Sequence, residues 1–195
     1  MKKLYIRAFL LFPLLLPHLL FFYLMRNRQL LLMDLKRYNN ICRFNIRNEL
    51  LSFILIFSCV KSFRNVFYYR LGIVRYLLMY LRPVESCHIS TPNIGGGLFI
   101  EHGDAVHISA KRIGENCYVN QCVTIGFSNY TDSPVLLDNV SIKAGAKVIG
   151  KVLLGNNVIV GANAVVVKNI PDNCTVVGIP AYIVRKNGER VHLNL

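Results

Sequence analysis

The chain is short of acidic residues. Its 195 residues include 10 Asp and Glu against 23 Lys and Arg, a formal net charge of +13. The shortage is greatest in residues 1–90, where three acids face 14 basic residues, whereas residues 91–195 carry a net charge of only +2. A basic excess confined to one half of a chain indicates an anionic partner for that half.

Cysteine pairs of the CxxC type are also missing. Six cysteines are present, but their spacing matches no disulfide framework and no zinc ribbon. Cys42 and Cys59 fall in helical patterns, and Cys117 falls at a small inward position of the repeat described below. We therefore expect reduced thiols in a cytoplasmic protein.

A cleavage site is absent after the apolar run of residues 8–25, which disfavours a secretory signal peptide. As a helix the run would reach about 27 Å, against about 30 Å for a bilayer core, and Pro13 and Pro17 interrupt it. Lys and Arg flank the run on both sides. We expect residues 1–26 to lie peripherally on the inner face of a membrane rather than to bind nucleic acid, with a buried packing helix as the alternative.

Residues 27–84 are expected to form a helical region. Helix-length apolar patterns cover 30–44, 46–60 and 73–81, with Gly72 and Pro83 as breaks. The aromatic and Arg-rich stretch 63–70 is typical of a helical packing face or a membrane edge.

What dominates the rest of the chain is a period of six. Aliphatic residues recur without a slip at Leu136, Ile142, Val148, Leu154, Val160 and Val166. Four positions after each comes a second small or aliphatic residue: Val140, Ala146, Val152, Val158, Ala164 and Ile170. Neither a helix nor a flat strand keeps this spacing on one face, whereas a parallel β-helix with three six-residue sides does. We assign the β-helix to residues 85–186 and a tail to 187–195.

Two interruptions break the repeat upstream. One extra residue lies between Val106 and Ile113, which we interpret as a bulged corner. About ten residues, 126–135, form a second break, which we interpret as a protruding loop. Insertions in stacked repeats map to loops on one face, and that face is usually where ligands bind.

Five ordered motifs resemble the hexapeptide acyltransferases of the serine acetyltransferase type. They are GLFIEHG at 97–103, VTIG at 123–126, AGAKVIG at 144–150, GANAVV at 161–166 and VGIPA at 177–181. The resemblance implies a left-handed parallel β-helix after a helical region. It also implies a homotrimer with acetyl-CoA between neighbouring subunits, and no metal.

His102 is the candidate catalytic base. It stands where the resembled family has its catalytic histidine, and a neutral imidazole suits removal of a hydroxyl proton near pH 7. Glu101 and Asp104 are candidate catalytic acids beside it. Backbone N–H groups of the coil are candidate donors to the oxyanion that forms during acyl transfer. Matching positions for acetyl-CoA are Gly126, Ala144, Gly145, Ala162 and Lys168.

Three departures bear on the acceptor. The family has an Asp about fifteen residues before its histidine, where Cys87 stands here, and a second histidine before a Pro, where Ser133 stands. A Glu expected after the histidine is missing, because the stretch 106–113 is one residue shorter than in the resembled family. These changes, with the basic apolar N-terminus, look more like O-acetyltransferases of capsule and exopolysaccharide synthesis. We therefore expect a sugar hydroxyl as the acceptor, with L-serine as the alternative.

Another class of function also remains open. A zinc hydratase of the γ-carbonic anhydrase kind uses the same fold, and His102 and His107 have the five-residue separation of its ligands, with His88 as the nearest third histidine. The VGIPA terminus fits acyltransferases better. A non-catalytic scaffold is a further alternative, since a fold does not determine function.

Overall fold

The computed structural model describes residues 2–195 and shows a helical region followed by a parallel β-helix. The predicted fold class is thereby confirmed. The four α-helices are α1 Lys2–Leu24, α2 Arg28–Ile41, α3 Glu49–Cys59 and α4 Lys61–Leu71. The helix predicted over 73–81 is found only in part. Gly72 adopts a positive φ of 61° and ends α4, and the chain continues as a 3₁₀ segment, Gly72–Leu77.

Short strands then wind into three parallel faces. Face A contains β1 Cys87–Ile89, β3 Val106–Ile108, β6 Thr124–Gly126, β9 Lys147–Ile149 and β12 Val165–Val166. Face B contains β4 Arg112–Ile113, β7 Val135–Leu136 and β10 Leu153–Leu154. Face C contains β2 Phe99–Ile100, β5 Tyr118–Val119, β8 Ser141–Ile142, β11 Ile159–Val160 and β13 Cys174–Val177. Within each face, every strand pairs with its counterpart in the next coil.

The six-residue series fills the interior of the coils. Leu136, Ile142, Val148, Leu154, Val160 and Val166 are all 0% exposed. Full burial of such a side chain stabilises the fold by about 1.5–3 kcal/mol, so the stacked rows supply the core of the β-helix.

The predicted C-terminal tail, 187–195, forms the second strand of a hairpin whose first strand ends the predicted β-helix. β14 Tyr182–Lys186 and β15 Glu189–Asn194 run antiparallel and extend face C. Asn187 and Gly188 connect them with φ of 50° and 87°, the backbone that a two-residue hairpin requires.

The slip in the repeat has a different origin from the expected bulge between Val106 and Ile113. Ile100 is in register with Val119, and Val106 is in register with Val123. Five residues, 101–105, therefore fill a corner that holds three residues, 120–122, in the next coil. The following segment, from Ile108 to Ile113, is one residue shorter than the six-residue spacing that separates Val148 from Leu154. A two-residue insertion and a one-residue deletion add up to the single extra residue in the sequence.

A buried ion pair fastens the helices to the first coil. Arg70 of α4 donates Nε to the Asp34 carboxylate of α2 at 2.9 Å, and both side chains are almost fully buried. The same guanidinium donates to the Ile94 and Gly95 carbonyls at 2.6 Å each. Asp34 in turn accepts the Leu98 amide at 2.7 Å. One turn further along α2, the Tyr38 hydroxyl donates to the Ile100 carbonyl and accepts from its amide, so α2 fixes the strand that precedes Glu101 and His102.

Helix α1 packs against this body along one stripe. Ala8, Leu15, His18 and Phe22 are buried. His18 Nε2 lies 3.1 Å from both the Tyr68 hydroxyl and the Leu78 carbonyl, and burial lowers the pKa of His18. Residues 3–24 are long and apolar enough to cross a membrane, yet only 17% of their most apolar stretch is buried in the protein. The alternative of a buried packing helix thus holds for one stripe only.

Replacing Arg70 with Met tests the importance of the buried pair. Because the substitution leaves the Asp34 carboxylate buried without its partner, we expect unfolding to become easier by about 3–5 kcal/mol. Urea unfolding at pH 7 measures this loss. Arg82→Met is the matched control, since the Arg82–Glu85 pair is exposed and its loss should cost at most about 1 kcal/mol. Equal losses in the two variants would contradict the proposed importance of the pair.

Candidate active site

His102 lies in the inserted corner between β2 and β3. Its φ is 63° and that of Gly103 is 88°, and the His102 side chain is exposed. The ends of the corner are held to the next coil, since the Glu101 amide donates to the Val119 carbonyl and the Cys122 amide donates to the Asp104 carbonyl. A non-glycine residue at such a φ costs about 1–3 kcal/mol and is typical of functional sites. The insertion therefore places an accessible imidazole at the edge of the coil, on a backbone in an unfavourable conformation.

Three of the candidate acetyl-CoA positions lie on the same edge. Corners 101–105, 120–122, 143–145 and 161–163 follow one another between faces C and A, and we call this stack the histidine edge. Hydrogen bonds link them in order: the Gly145 amide donates to the Gln121 carbonyl at 3.0 Å, and the Asn163 amide donates to the Ala144 carbonyl at 2.9 Å. At about 4.8 Å per coil, Ala162 lies about 14 Å from His102. The structure thus aligns His102, Ala144, Gly145 and Ala162.

The other two candidate positions lie elsewhere. Gly126 ends β6 in register with Ile149, at the opposite edge of face A, beside the root of the protruding loop. Lys168 follows β12 at that same edge, and its ammonium donates to the carbonyl of Leu195. A ligand that contacted all five positions would have to cross face A.

Gly145 has a structural reason to be glycine. Its φ is 73°, and an added Cβ would lie 2.0 Å from Oδ1 of Asn163. A side chain here would be strained at this φ and would displace the Asn163 side chain, whether or not a ligand approaches the backbone.

Glu101 is held by a residue that sequence reasoning missed. The Tyr118 hydroxyl donates to Oε2 of Glu101, and the Tyr118 ring stacks on Phe99 with centroids 5.2 Å apart. The Lys143 ammonium lies 4.4 Å from the centroid of the Tyr118 ring. Burial raises the pKa of Tyr118 and the Glu101 carboxylate adds to the shift, so the phenol stays protonated as a donor. Only the repeat register could have indicated this contact, because it places Tyr118 beside Phe99 of the preceding coil.

Cys87, at the position where the resembled family has an aspartate, is buried in the core. It pairs with Val106, is 8% exposed, and packs within the core cluster. Burial and, less strongly, the charge of Asp104 raise the pKa of its thiol to about 12. A neutral buried thiol cannot orient an imidazole as a carboxylate does. The Asp104 side chain is exposed at the corner.

Ser133 lies in the protruding loop, as expected. The loop is ordered by its own polar groups: Asp132 Oδ1 accepts the Ser128 amide at 2.9 Å and the Asn129 amide at 3.0 Å. The Ser128 hydroxyl, followed by these amides, lowers the pKa of Asp132. Tyr130 at the tip is fully exposed.

The histidines of the zinc alternative do not form a metal site within one chain. His88 and His107 stack on face A with ring centroids 4.9 Å apart. His102 lies in the inserted corner, outside the strands that carry the other two histidines. Over residues 2–195 no three His, Cys, Asp or Glu side chains are grouped closely enough to hold a metal ion.

The repeat and the fold together define the class of protein. Residues 133–168 match the family model "Bacterial transferase hexapeptide (six repeats)". This part of the β-helix is therefore similar to the hexapeptide repeat of bacterial transferases.

Within that class the chain is homologous to serine acetyltransferases. It is 38% identical to the serine acetyltransferase of Synechococcus elongatus over 139 residues, which cover 68% of this chain and 57% of the relative. It is 45% identical to that of Staphylococcus xylosus over 102 residues, or 50% of this chain and 47% of the relative. A crystal structure of Neisseria gonorrhoeae serine acetyltransferase in complex with serine superposes with a TM-score of 0.62 at 26% identity, covering 79% of this chain and 67% of that chain.

The predicted resemblance is confirmed at this level, and the chain spans about half the length of the first two relatives. The closer likeness to capsule and exopolysaccharide enzymes stays a prediction.

Thiol reactivity tests the placement of Cys87. At pH 8 we expect iodoacetamide to label Cys122, which is exposed, at least about 10³-fold faster than Cys87, because the thiolate is the nucleophile and that of Cys87 forms only as the pH approaches 12. Peptide mass spectrometry over a time course gives both rates in one sample. Comparable rates would show that Cys87 does not face the interior.

Proposed function

We propose that this chain is an acetyl-CoA-dependent O-acetyltransferase in which His102 is the general base. The observation that carries the proposal is the histidine edge, where an exposed imidazole lies in line with the corners that contain Ala144, Gly145 and Ala162. Homology to serine acetyltransferases supports the same reaction. Acetyl-CoA would lie along the corners of Ala144, Gly145 and Ala162, where the backbone is accessible to a thin ligand.

In this mechanism the neutral imidazole of His102 accepts the proton of the acceptor hydroxyl as its oxygen attacks the thioester carbonyl. Backbone N–H groups of the coil stabilise the oxyanion of the tetrahedral intermediate. The carbon–sulfur bond then breaks, and the imidazolium returns the proton to the sulfur of CoA. The products are an O-acetyl ester and free CoA, with His102 again neutral. Asp104, exposed in the same corner, is a candidate to stabilise the imidazolium.

L-serine is the first candidate for the acceptor. The relatives are serine acetyltransferases. In addition, the Glu101 carboxylate and the Lys143 ammonium both contact Tyr118, so the histidine edge offers one partner of each sign to a zwitterion.

A sugar hydroxyl in surface polysaccharide synthesis is the second candidate. Its support is the absence of three polar groups that the family offers its acceptor: Cys87 is buried and neutral, Ser133 replaces a histidine, and the 106–113 stretch is shortened. Under either candidate we propose a homotrimer, because the β-helix of a neighbouring subunit would complete a ligand groove along one edge. We also propose a cytoplasmic location.

Replacing His102 with Asn is expected to lower acetyl transfer by about 10²- to 10⁴-fold, the usual contribution of general-base catalysis. The rate of CoA release with saturating acetyl-CoA measures it. His107→Asn is the matched control, since His107 is also exposed on the adjoining strand, and it should retain activity within about threefold. An active His102→Asn variant would mean that another group is the base.

The acceptor is decided by assaying CoA release with L-serine alone. If serine is the acceptor, we expect kcat/KM of at least about 10⁴ M⁻¹s⁻¹, as for an ordinary enzyme with its own substrate. Because the loss of each buried polar partner costs about ten- to a hundredfold, a sugar enzyme should use serine at least about 10³-fold less well than its sugar. Turnover of serine below about 10 M⁻¹s⁻¹ by protein that still transfers acetyl to another hydroxyl would remove the serine assignment.

A further inference from the structure

Helix α1 leaves most of its apolar surface uncovered. Phe9 is 80% exposed, Leu10 70% and Leu24 68%. The outer face of α1 is defined by the exposed apolar side chains on the helix side away from the buried stripe: Tyr5, Ile6, Phe9, Leu10, Leu16, Leu20, Tyr23 and Leu24. Soluble proteins rarely expose a contiguous apolar surface of this extent without a partner.

The helix that carries this face is firmly docked. His18 is fully buried and contacts the Tyr68 hydroxyl and the Leu78 carbonyl, while the Tyr80 hydroxyl donates to the Leu14 carbonyl at 2.8 Å. The buried stripe of α1 thus has its packing and hydrogen-bond partners within the chain. The outer face therefore needs a partner from outside the described residues.

Charge shows what kind of partner this is. All three acids of residues 2–90 are already in ion pairs: Asp34 with Arg70, Glu49 with Arg28 and Glu85 with Arg82. Lys3 and Arg7 line a surface cavity together with Ile6 and Leu10, so these cations border the outer face. Arg26 is exposed just beyond the other end of α1. The surface is apolar along its length and cationic at both ends.

A second copy of this chain fits the surface poorly. Because both ends of α1 are basic, pairing two outer faces in either direction brings like charges together, and the helical region has no free carboxylate to offset them. A nucleic acid would satisfy the cations and leave the aliphatic side chains uncovered. An anionic lipid surface satisfies both, since headgroups pair with Lys and Arg while the acyl boundary covers the apolar residues.

We propose that the outer face of α1 is a docking surface for an anionic lipid bilayer. The helix lies in the membrane interface with its apolar side chains about 5–10 Å into the headgroup region, and Lys3 and Arg7 against lipid phosphates. This inference is independent of the reaction assigned to His102. It turns the expected membrane association of residues 1–26 into one defined surface.

The test is co-sedimentation of the purified full chain with sucrose-loaded vesicles of phosphatidylcholine, either pure or with 30% phosphatidylglycerol. We expect binding to the anionic vesicles that weakens as NaCl rises. Replacing Phe9, Leu16 and Leu20 together with Gln should abolish it. Replacing Lys3 and Arg7 with Gln should weaken it by about 30-fold on anionic vesicles only, since each basic residue contributes about fivefold.

Leu193→Gln, at an exposed apolar position of β15, is the matched control and should bind as the unaltered protein does. Circular dichroism verifies that the variants fold. We expect them to fold because the substituted side chains are exposed. Unchanged vesicle binding by the triple Gln variant overturns the proposal, and so does the absence of binding by the unaltered chain. A fall in molar mass of the triple variant by light scattering, without lipid, overturns it in favour of a contact between copies.

Discussion

The ion pair of Asp34 with Arg70 is the contact on which the rest of the arrangement depends. Burial raises the pKa of Asp34, and the Arg70 guanidinium and the Leu98 amide act in the opposite sense, so the carboxylate is tolerated only where these donors surround it. Those donors come from another helix and from the first coil. Ionised Asp34 therefore requires the helical region and the β-helix to meet in one orientation. Tyr38, one turn along α2, carries that orientation to Ile100, next to the histidine corner.

The histidine corner shows how a regular repeat acquires chemistry. In later coils the same corner has three residues, and the last of them is in the left-handed conformation: Cys122, Gly145 and Asn163. The first coil adds two residues, and His102 takes a positive φ that a repeat alone would not demand. Such strain persists only where the neighbours over-determine the backbone, here through Val119 and Cys122 on the next coil and α2 above.

The two substrates are supported by different parts of the molecule. The proposed donor site lies along three-residue corners, those of Ala144, Gly145 and Ala162. The acceptor side rests on individual groups, and here Glu101, Tyr118 and Lys143 form a cluster while Cys87 has turned inward. The proposed donor site thus depends on the backbone of the repeat, whereas the proposed acceptor site depends on individual side chains.

The sequence by itself determined the β-helix, since a six-residue period leaves no other way to bury Leu136 through Val166 together. It also located His102 and the protruding loop, because motif and interruption are local. It misplaced the insertion, since an added pair of residues and a deletion one corner later sum to a single slip that only register resolves. The contact of Tyr118 with Glu101, the inward thiol of Cys87 and the separation of Gly126 and Lys168 from the histidine edge were decided by tertiary structure. Each depends on which residues the coils stack side by side, a relation between positions far apart in the chain.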